Sequence, residues 1–354
     1  CVSKCPYCDF YSLPGVDDDR LDAYTAAMER AMQQAHERYP TTADTLYFGG
    51  GTPSLLGGRR LARLIDRAAA LWGLKNAEIT LEANPGDPLD TLLSAFAAAG
   101  GNRLSLGMQA VTPEELQSLG RRHSHRQTEQ AVEAAHRAGI DNLSLDIMLG
   151  IPRQTTETAL AAVAEAARLG ASHLSAYLLK IEEHTPFAAR RDQLALPDEE
   201  AVADRYLAVA EAAEAAGFAQ YEISNFARPG YEGKHNLIYW DCGDYLGLGP
   251  AAHSCMGGKR FYYPPDTDAF LHDTAAPVLD GSCGAEDYLI LQLRLRKGLN
   301  LEAYKNLYGK EFSTAQLAFV QNCVKAGYAN FDGKTLALTP AGLIVQNTIL
   351  AELL

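Results

Sequence analysis

No apolar run in the 354-residue chain approaches the roughly 18 residues needed to span a bilayer, and its most apolar stretches are Ala-rich and broken by charges. That excludes an integral membrane protein and predicts a soluble one. Clustered positive charge is missing too. The formal net charge is -13 at pH 7 and no long run of Lys or Arg occurs, which argues against sequence-independent nucleic-acid binding. Cysteine is scarce and unevenly spread. Three of the seven fall in the opening "CVSKCPYCDF", whereas Cys242, Cys255, Cys283 and Cys323 lack the spacing of a disulfide framework. Such usage predicts a cytoplasmic protein with metal-bound thiolates. The chain opens on Cys1 rather than Met, so residues before it are expected to be missing, and a targeting segment lost there would leave no trace in this sequence.

What is present is an ordinary globular composition, 47% hydrophobic and 21% charged, long enough for one large domain and an appendage. From residue 18 to about 225, short β-like runs alternate with amphipathic helical stretches. The runs are "TLYF" (45–48), "EITLEA" (78–83), "RLSLGM" (103–108), "NLSLDIM" (142–148), "HLSAYLL" (173–179) and "AQYEI" (219–223). Between them, "DTLLSAFAAAG" places Leu92, Leu93 and Phe96 on one helical face, and "EQAVEAAHRAG" does the same with Ala131, Val132 and Ala135. This alternation predicts a parallel sheet curled into a complete or partial (β/α) barrel over 1–225, with its chemistry at the carboxyl ends of the strands. "GGGTPS", Glu82, Gln109 and Asp146 all fall at such ends. Singly, such residues can merely cap or turn the chain; repeated around one rim, they point to a site.

After residue 225 the rhythm breaks into a Gly- and aromatic-rich segment, 226–283, too long for a plain connector. From 284 to 354 a helical stretch, a further helix pair, a hairpin turned at Asp332-Gly333 and a final helix read as a small winged-helix-like α+β domain. Without a basic face it reads as a packing module rather than a DNA reader.

Cys1, Cys5 and Cys8 form CxxxCxxC. Three thiolates can hold three irons of a 4Fe-4S cluster and leave the fourth open to an exogenous ligand. An incomplete zinc knuckle is the alternative on spacing alone. Behind the cysteines, "GGGTP" (Gly49 to Pro53, including Gly50, Gly51 and Thr52) follows a strand and can bring bare backbone to a ligand.

Together these motifs resemble the radical S-adenosylmethionine superfamily. Tyr7, beside the last cysteine, fits that signature, and the Gly-rich loop resembles the one that holds the methionine amino group. Glu82 in "LEANPG", Gln109 in "LGMQ", Arg121 in "LGRRHS" and Asp146 in "LDIMLGIP" match the superfamily's cofactor-contacting positions. The resemblance spans essentially the whole chain and is closest to the branch holding oxygen-independent coproporphyrinogen III oxidases and the HemW-type haem chaperones. It implies a first barrel strand upstream of Cys1.

Two features separate those members. The oxidases carry a fourth cysteine where this chain has Phe10, and the chaperones carry HNxxYW, here "HNLIYW", with His235, Asn236, Tyr239 and Trp240. An imidazole can ligate haem iron, and Tyr and Trp can face a porphyrin. On chemistry alone a buried aromatic cluster, with His235 bonded to backbone, accounts for the same residues. Cys242 and His253 are further candidate iron ligands, while His123, His125 and His184 read as surface or structural. The resemblance thus implies a haem chaperone with a 4Fe-4S cluster and exchangeable S-adenosylmethionine, passing haem to an acceptor protein associated with a membrane. The alternative is a coproporphyrinogen III oxidase.

Overall fold

A computed structural model describes residues 1–354. Five parallel strands lie in chain order, β1 (Thr45–Phe48), β2 (Glu78–Ala83), β3 (Arg103–Gln109), β4 (Asn142–Leu149) and β5 (His173–Leu178), each followed by a helix packed on the outer face. The register runs Thr80 to Arg103 and Ser105 to Ser144 to His173 across neighbouring strands. Alternation in a strand sends successive side chains to opposite faces. Ile79, Leu81, Leu104, Leu106, Leu143, Leu145 and Leu174 therefore enter the apolar layer under the helices, and all are buried. Leu92, Leu93 and Phe96 meet them from the helix Leu89–Ala98, as the spacing predicts. Truncating the fully buried Phe96 ring to Ala would cost about 3–5 kcal/mol.

The opposite parity leaves Glu78, Thr80, Glu82, Arg103, Ser105, Ser144, Asp146, His173 and Ser175 on the interior face. The result is a partial barrel with a polar interior. It ends in a departure from the expected sixth parallel strand. Of 219–223 only Ala219–Gln220 joins the sheet, as β6, antiparallel to β7 (Asn225–Ala227), which itself runs antiparallel to β5, while Glu222 makes a lone antiparallel bridge to Leu295. The cause is Glu222, fully buried, whose carboxylate accepts from Ser224 N at 3.1 Å and turns the chain back.

The Gly- and aromatic-rich segment is more ordered than its sequence suggests. It holds a helix, Lys234–Trp240, too short for a period to be visible, and a three-stranded antiparallel sheet of β8 (His253–Met256), β9 (Lys259–Tyr262) and β10 (Val278–Ser282). Beyond it, β11 (Leu299–Asn300), β12 (Ala329–Phe331) and β13 (Thr335–Leu338) form the C-terminal sheet against helices Ala285–Gln292, Leu301–Tyr308 and Thr314–Lys325, a winged-helix-like arrangement. The hairpin at Asp332-Gly333 forms as expected: Asp332 Oδ1 accepts from Lys334 N and Thr335 N at 2.9 and 2.7 Å. No helix is long and apolar enough to cross a membrane.

Candidate cluster and cofactor site

The three cysteines lie in an irregular loop held from several sides. Cys8 N donates to Cys5 O at 3.1 Å, Phe187 N donates to Pro6 O at 3.0 Å, and the Tyr7 ring leans on Phe187 with centroids 6.1 Å apart. Cys1 Sγ sits 3.1 Å from Thr52 Oγ1, and a Cβ on Gly51 would lie 3.5 Å from the same sulfur. The cysteine loop is thus packed directly on the GGGTP loop.

The sulfurs are spread rather than gathered. Among His, Cys and carboxylate groups, only His125, Glu129 and Glu165 converge as a set of three within 4.8 Å. A tetrahedral zinc with bonds of about 2.3 Å would need its sulfurs roughly 3.8 Å apart, whereas thiolates on separate irons of one cluster stand wider. Three thiols from one loop suit the three protein-held irons of a 4Fe-4S cluster. The His125 group already has its cation: Arg168 Nη2 donates to Glu129 at 2.5 Å and to Glu165 at 2.6 Å. His125 is structural, as expected, and so is His123, buried with Nε2 3.2 Å from Met108 O; His184 is exposed.

Glu82 and Gln109 stand toward the carboxyl ends of β2 and β3, Arg121 follows β3, and Asp146 lies in the middle of β4. Glu82 accepts from Tyr47 Oη at 2.7 Å and from Gly50 N at 3.1 Å. Burial pushes its carboxyl up to about 7, and those two bonds oppose the shift. Gly49 must be glycine here, because a Cβ would meet the Tyr47 ring at 2.5 Å. Asp146 accepts from Ser105 Oγ at 2.8 Å and Ser144 Oγ at 3.2 Å, with burial again raising its pKa. Gln109 sits at a register shift between β3 and β4 with φ of 66°, a left-handed backbone that re-aims its amide at the rim. Arg121 donates to Asn84 Oδ1 at 2.6 Å, places its guanidinium 5.8 Å from the Tyr7 ring centre, and leaves its Nε enclosed without a partner. An orphaned guanidinium donor and a buried carboxylate on one rim suit the carboxylate and the hydroxyls of S-adenosylmethionine.

HNLIYW lies at the other end of the strands. Its helix plugs the barrel floor, where Glu78 accepts from Lys234 N at 3.2 Å and His235 N at 3.1 Å. His235 uses both ring nitrogens, Nδ1 at 2.8 Å from Thr45 Oγ1 and Nε2 at 2.6 Å from Tyr239 Oη. Burial, then the Arg103 charge, brings its pKa down to about 4. Its partners are side-chain hydroxyls rather than the backbone expected for a buried aromatic cluster, but the ring is as fully engaged. Tyr239 packs edge-on against Tyr245 at 4.5 Å, Trp240 has its Nε1 enclosed without a partner, and Asn236 is half-buried. His253 is exposed on β8 and stacks on Tyr262 at 5.2 Å. Cys242 lies against the Cys283 thiol, with its pKa raised by burial and then by that neighbour.

Rim and floor are joined by Tyr47, whose hydroxyl holds Glu82 while its ring stacks on His235 at 4.8 Å and 17°. Sequence reasoning missed Tyr47, Glu78, Asn84 and Arg103. Polar residues at every second position of otherwise apolar strands were the available signal for Glu78 and Arg103.

A cysteine loop seated on a Gly-rich turn, at the carboxyl rim of a parallel half-barrel, is the arrangement of a radical S-adenosylmethionine protein. The Radical SAM superfamily model matches residues 1–166 and the HemN C-terminal domain model matches residues 285–345. The chain is 38% identical to the heme chaperone HemW of Mycobacterium tuberculosis, over 100% of this chain and 92% of that protein. It is 31% identical to the Lactococcus lactis HemW, covering 100% of this chain and 95% of that one. The solved Escherichia coli coproporphyrinogen III oxidase HemN shares the fold, with a TM-score of 0.83 at 19% identity over 100% of this chain and 87% of that one. The chain belongs to the HemW family within the radical SAM superfamily.

Proposed function

We propose that this protein is a haem chaperone that binds haem and passes it to an acceptor protein, with a 4Fe-4S cluster on Cys1, Cys5 and Cys8. The observation that carries the reading is the HNLIYW helix, which offers an imidazole, a phenol and an indole on two turns. Tyr239 occupies His235 Nε2. Haem ligation by that nitrogen therefore means exchanging a hydroxyl for iron at an imidazole kept neutral, the form that binds metals. Phe10 supports the same reading: where the oxidases carry a fourth cysteine, this chain presents a phenyl ring that is 66% exposed.

A bound cluster would supply one-electron chemistry and an open iron for S-adenosylmethionine. The chain's own contribution is positional. Arg121 would turn its guanidinium to the cofactor carboxylate, Glu82 and Asp146 would offer their remaining acceptor positions to ribose hydroxyls, and the Gly50 to Thr52 backbone would let the ligand close in. Cytoplasmic location and a membrane-associated acceptor belong to the same proposal.

The test is a haem titration beside a coproporphyrinogen III assay on one anaerobically reconstituted preparation. Haem should bind with a Soret shift, His235→Ala should change that spectrum or abolish binding, and no coproporphyrinogen should be consumed. Turnover matching that of a genuine oxidase would replace this reading with the enzyme.

A further inference from the structure

Arg103 opens β3 on the interior face and is 4% exposed. Its guanidinium forms no ion pair and no hydrogen bond with the protein, and its Nε is fully enclosed without a partner. The side chain reaches the barrel floor, where a Cβ on Gly233 would fall 3.6 Å from Nη2. The carboxylates around it hold hydrogen bonds to other groups, and none forms an ion pair with the guanidinium. Glu78 caps the HNLIYW helix, Glu82 holds Tyr47 and Gly50, and Asp146 takes two serine hydroxyls. The Tyr221 hydroxyl is shared between Gly233 N at 3.1 Å and His173 Nε2 at 2.8 Å.

A guanidinium keeps its proton and carries five donors in a planar fork. Buried charge of this kind is ordinarily paired, and the partner that satisfies a fork with two parallel hydrogen bonds is a carboxylate. We propose that Arg103 anchors a carboxylate of the ligand held in the barrel interior. This deepens the haem reading and rests on it for the ligand's identity: on that reading the carboxylate is a propionate. S-adenosylmethionine also carries a carboxylate, but Arg121, at the opposite end of the strands, has the free donor at the cofactor rim.

The test compares iron(III) protoporphyrin IX with its dimethyl ester, in which both carboxylates are blocked, on the reconstituted protein. The parent should bind the acid about tenfold more tightly than the ester, and Arg103→Gln should erase that preference. Cluster content and S-adenosylmethionine binding should stay unchanged. Arg103→Lys, a point charge without the fork, should keep only part of the preference, and it decides the matter if Arg103→Gln loses its cluster. Propionate alone, followed by saturation-transfer NMR, should contact the parent and not the variant. A preference that survives in Arg103→Gln overturns the proposal, as does a loss confined to S-adenosylmethionine binding. If neither porphyrin binds the parent, the haem reading fails and the propionate signal decides: lost in Arg103→Gln it supports the anchor, and unchanged or absent in both it overturns it.

Discussion

The two ends of the barrel are built on opposite plans. At the rim, polar groups are left without protein partners: three half-exposed cysteines with no common partner, the enclosed Nε of Arg121, and a Gln109 on a left-handed backbone. At the floor the amides that open the HNLIYW helix and both nitrogens of its imidazole are spent inside the protein, whereas the Trp240 indole N–H keeps no partner. The amides go to Glu78, the imidazole to Thr45 and Tyr239, and the imidazole face to Tyr47. A site with open valences can gain a ligand by adding contacts, whereas a satisfied one must lose protein bonds first. On the proposed reading a stable prosthetic group would sit at the rim and an exchangeable cargo at the floor, since a ligand that must displace internal bonds is held by the surplus alone.

The largest effect expected from breaking this contrast is at the cysteine loop. Cys1→Ala should drop iron and sulfide from about four each per chain to near zero after anaerobic reconstitution. Haem binding should persist, because the two groups use different ends of the strands. Loss of haem together with the cluster would show that the ends are not separate sites. Stoichiometric zinc in place of iron would restore the zinc reading.

Next in size is the floor itself. Glu78 is 6% exposed and meets two helix-terminal amides, a charge-assisted cap on a helix too short to be stable alone. Glu78→Gln keeps the shape but removes the charge and one acceptor, and should cost about 1.5–3 kcal/mol in chemical denaturation. Cluster content should not change. Equal stability of variant and parent would mean that the helix docks through its aromatic side chains alone.

The two ends also differed in how far the sequence exposed them. The rim was legible because its chemistry sits at strand ends, where a polar residue interrupts an apolar run. Glu82 and Gln109 lie toward strand ends, Asp146 lies within β4, and the first five strands fall within one residue of their expected limits. The floor was not, because it depends on a contact between residues some 190 positions apart, His235 and Thr45, that no local period encodes. Tyr47 is one member of the run "TLYF" and Arg103 opens "RLSLGM", and neither position by itself tells which way its side chain faces. Only the parity of the folded sheet turns both inward. The failed sixth strand has the same origin, since "AQYEI" has strand composition but Glu222 spends its carboxylate on turning the chain.

The smallest expected effect sharpens the link between the ends. Glu82 is pushed up to about 7 in the fold from a usual value near 4.5. Between those values the folded protein keeps a proton that the unfolded chain has lost, so Glu82 should make stability fall as pH rises from 4.5 to 7. Glu222, also raised to about 7, adds a slope of the same sign. Cofactor affinity should run the other way if ionised Glu82 is the ribose acceptor, rising by up to about tenfold per pH unit below 7 and levelling above it. Glu82→Gln should flatten that profile and remove its part of the stability slope. In Tyr47→Phe the carboxylate loses a hydrogen bond that favours its ionised form, so the midpoint should move upward by about one pH unit. The His235 ring keeps a stacking partner in that variant, so the haem spectrum should stay in place while the cofactor profile moves. A shift in both would make Tyr47 a coupling element between rim and floor, while a shift in neither would reduce it to packing.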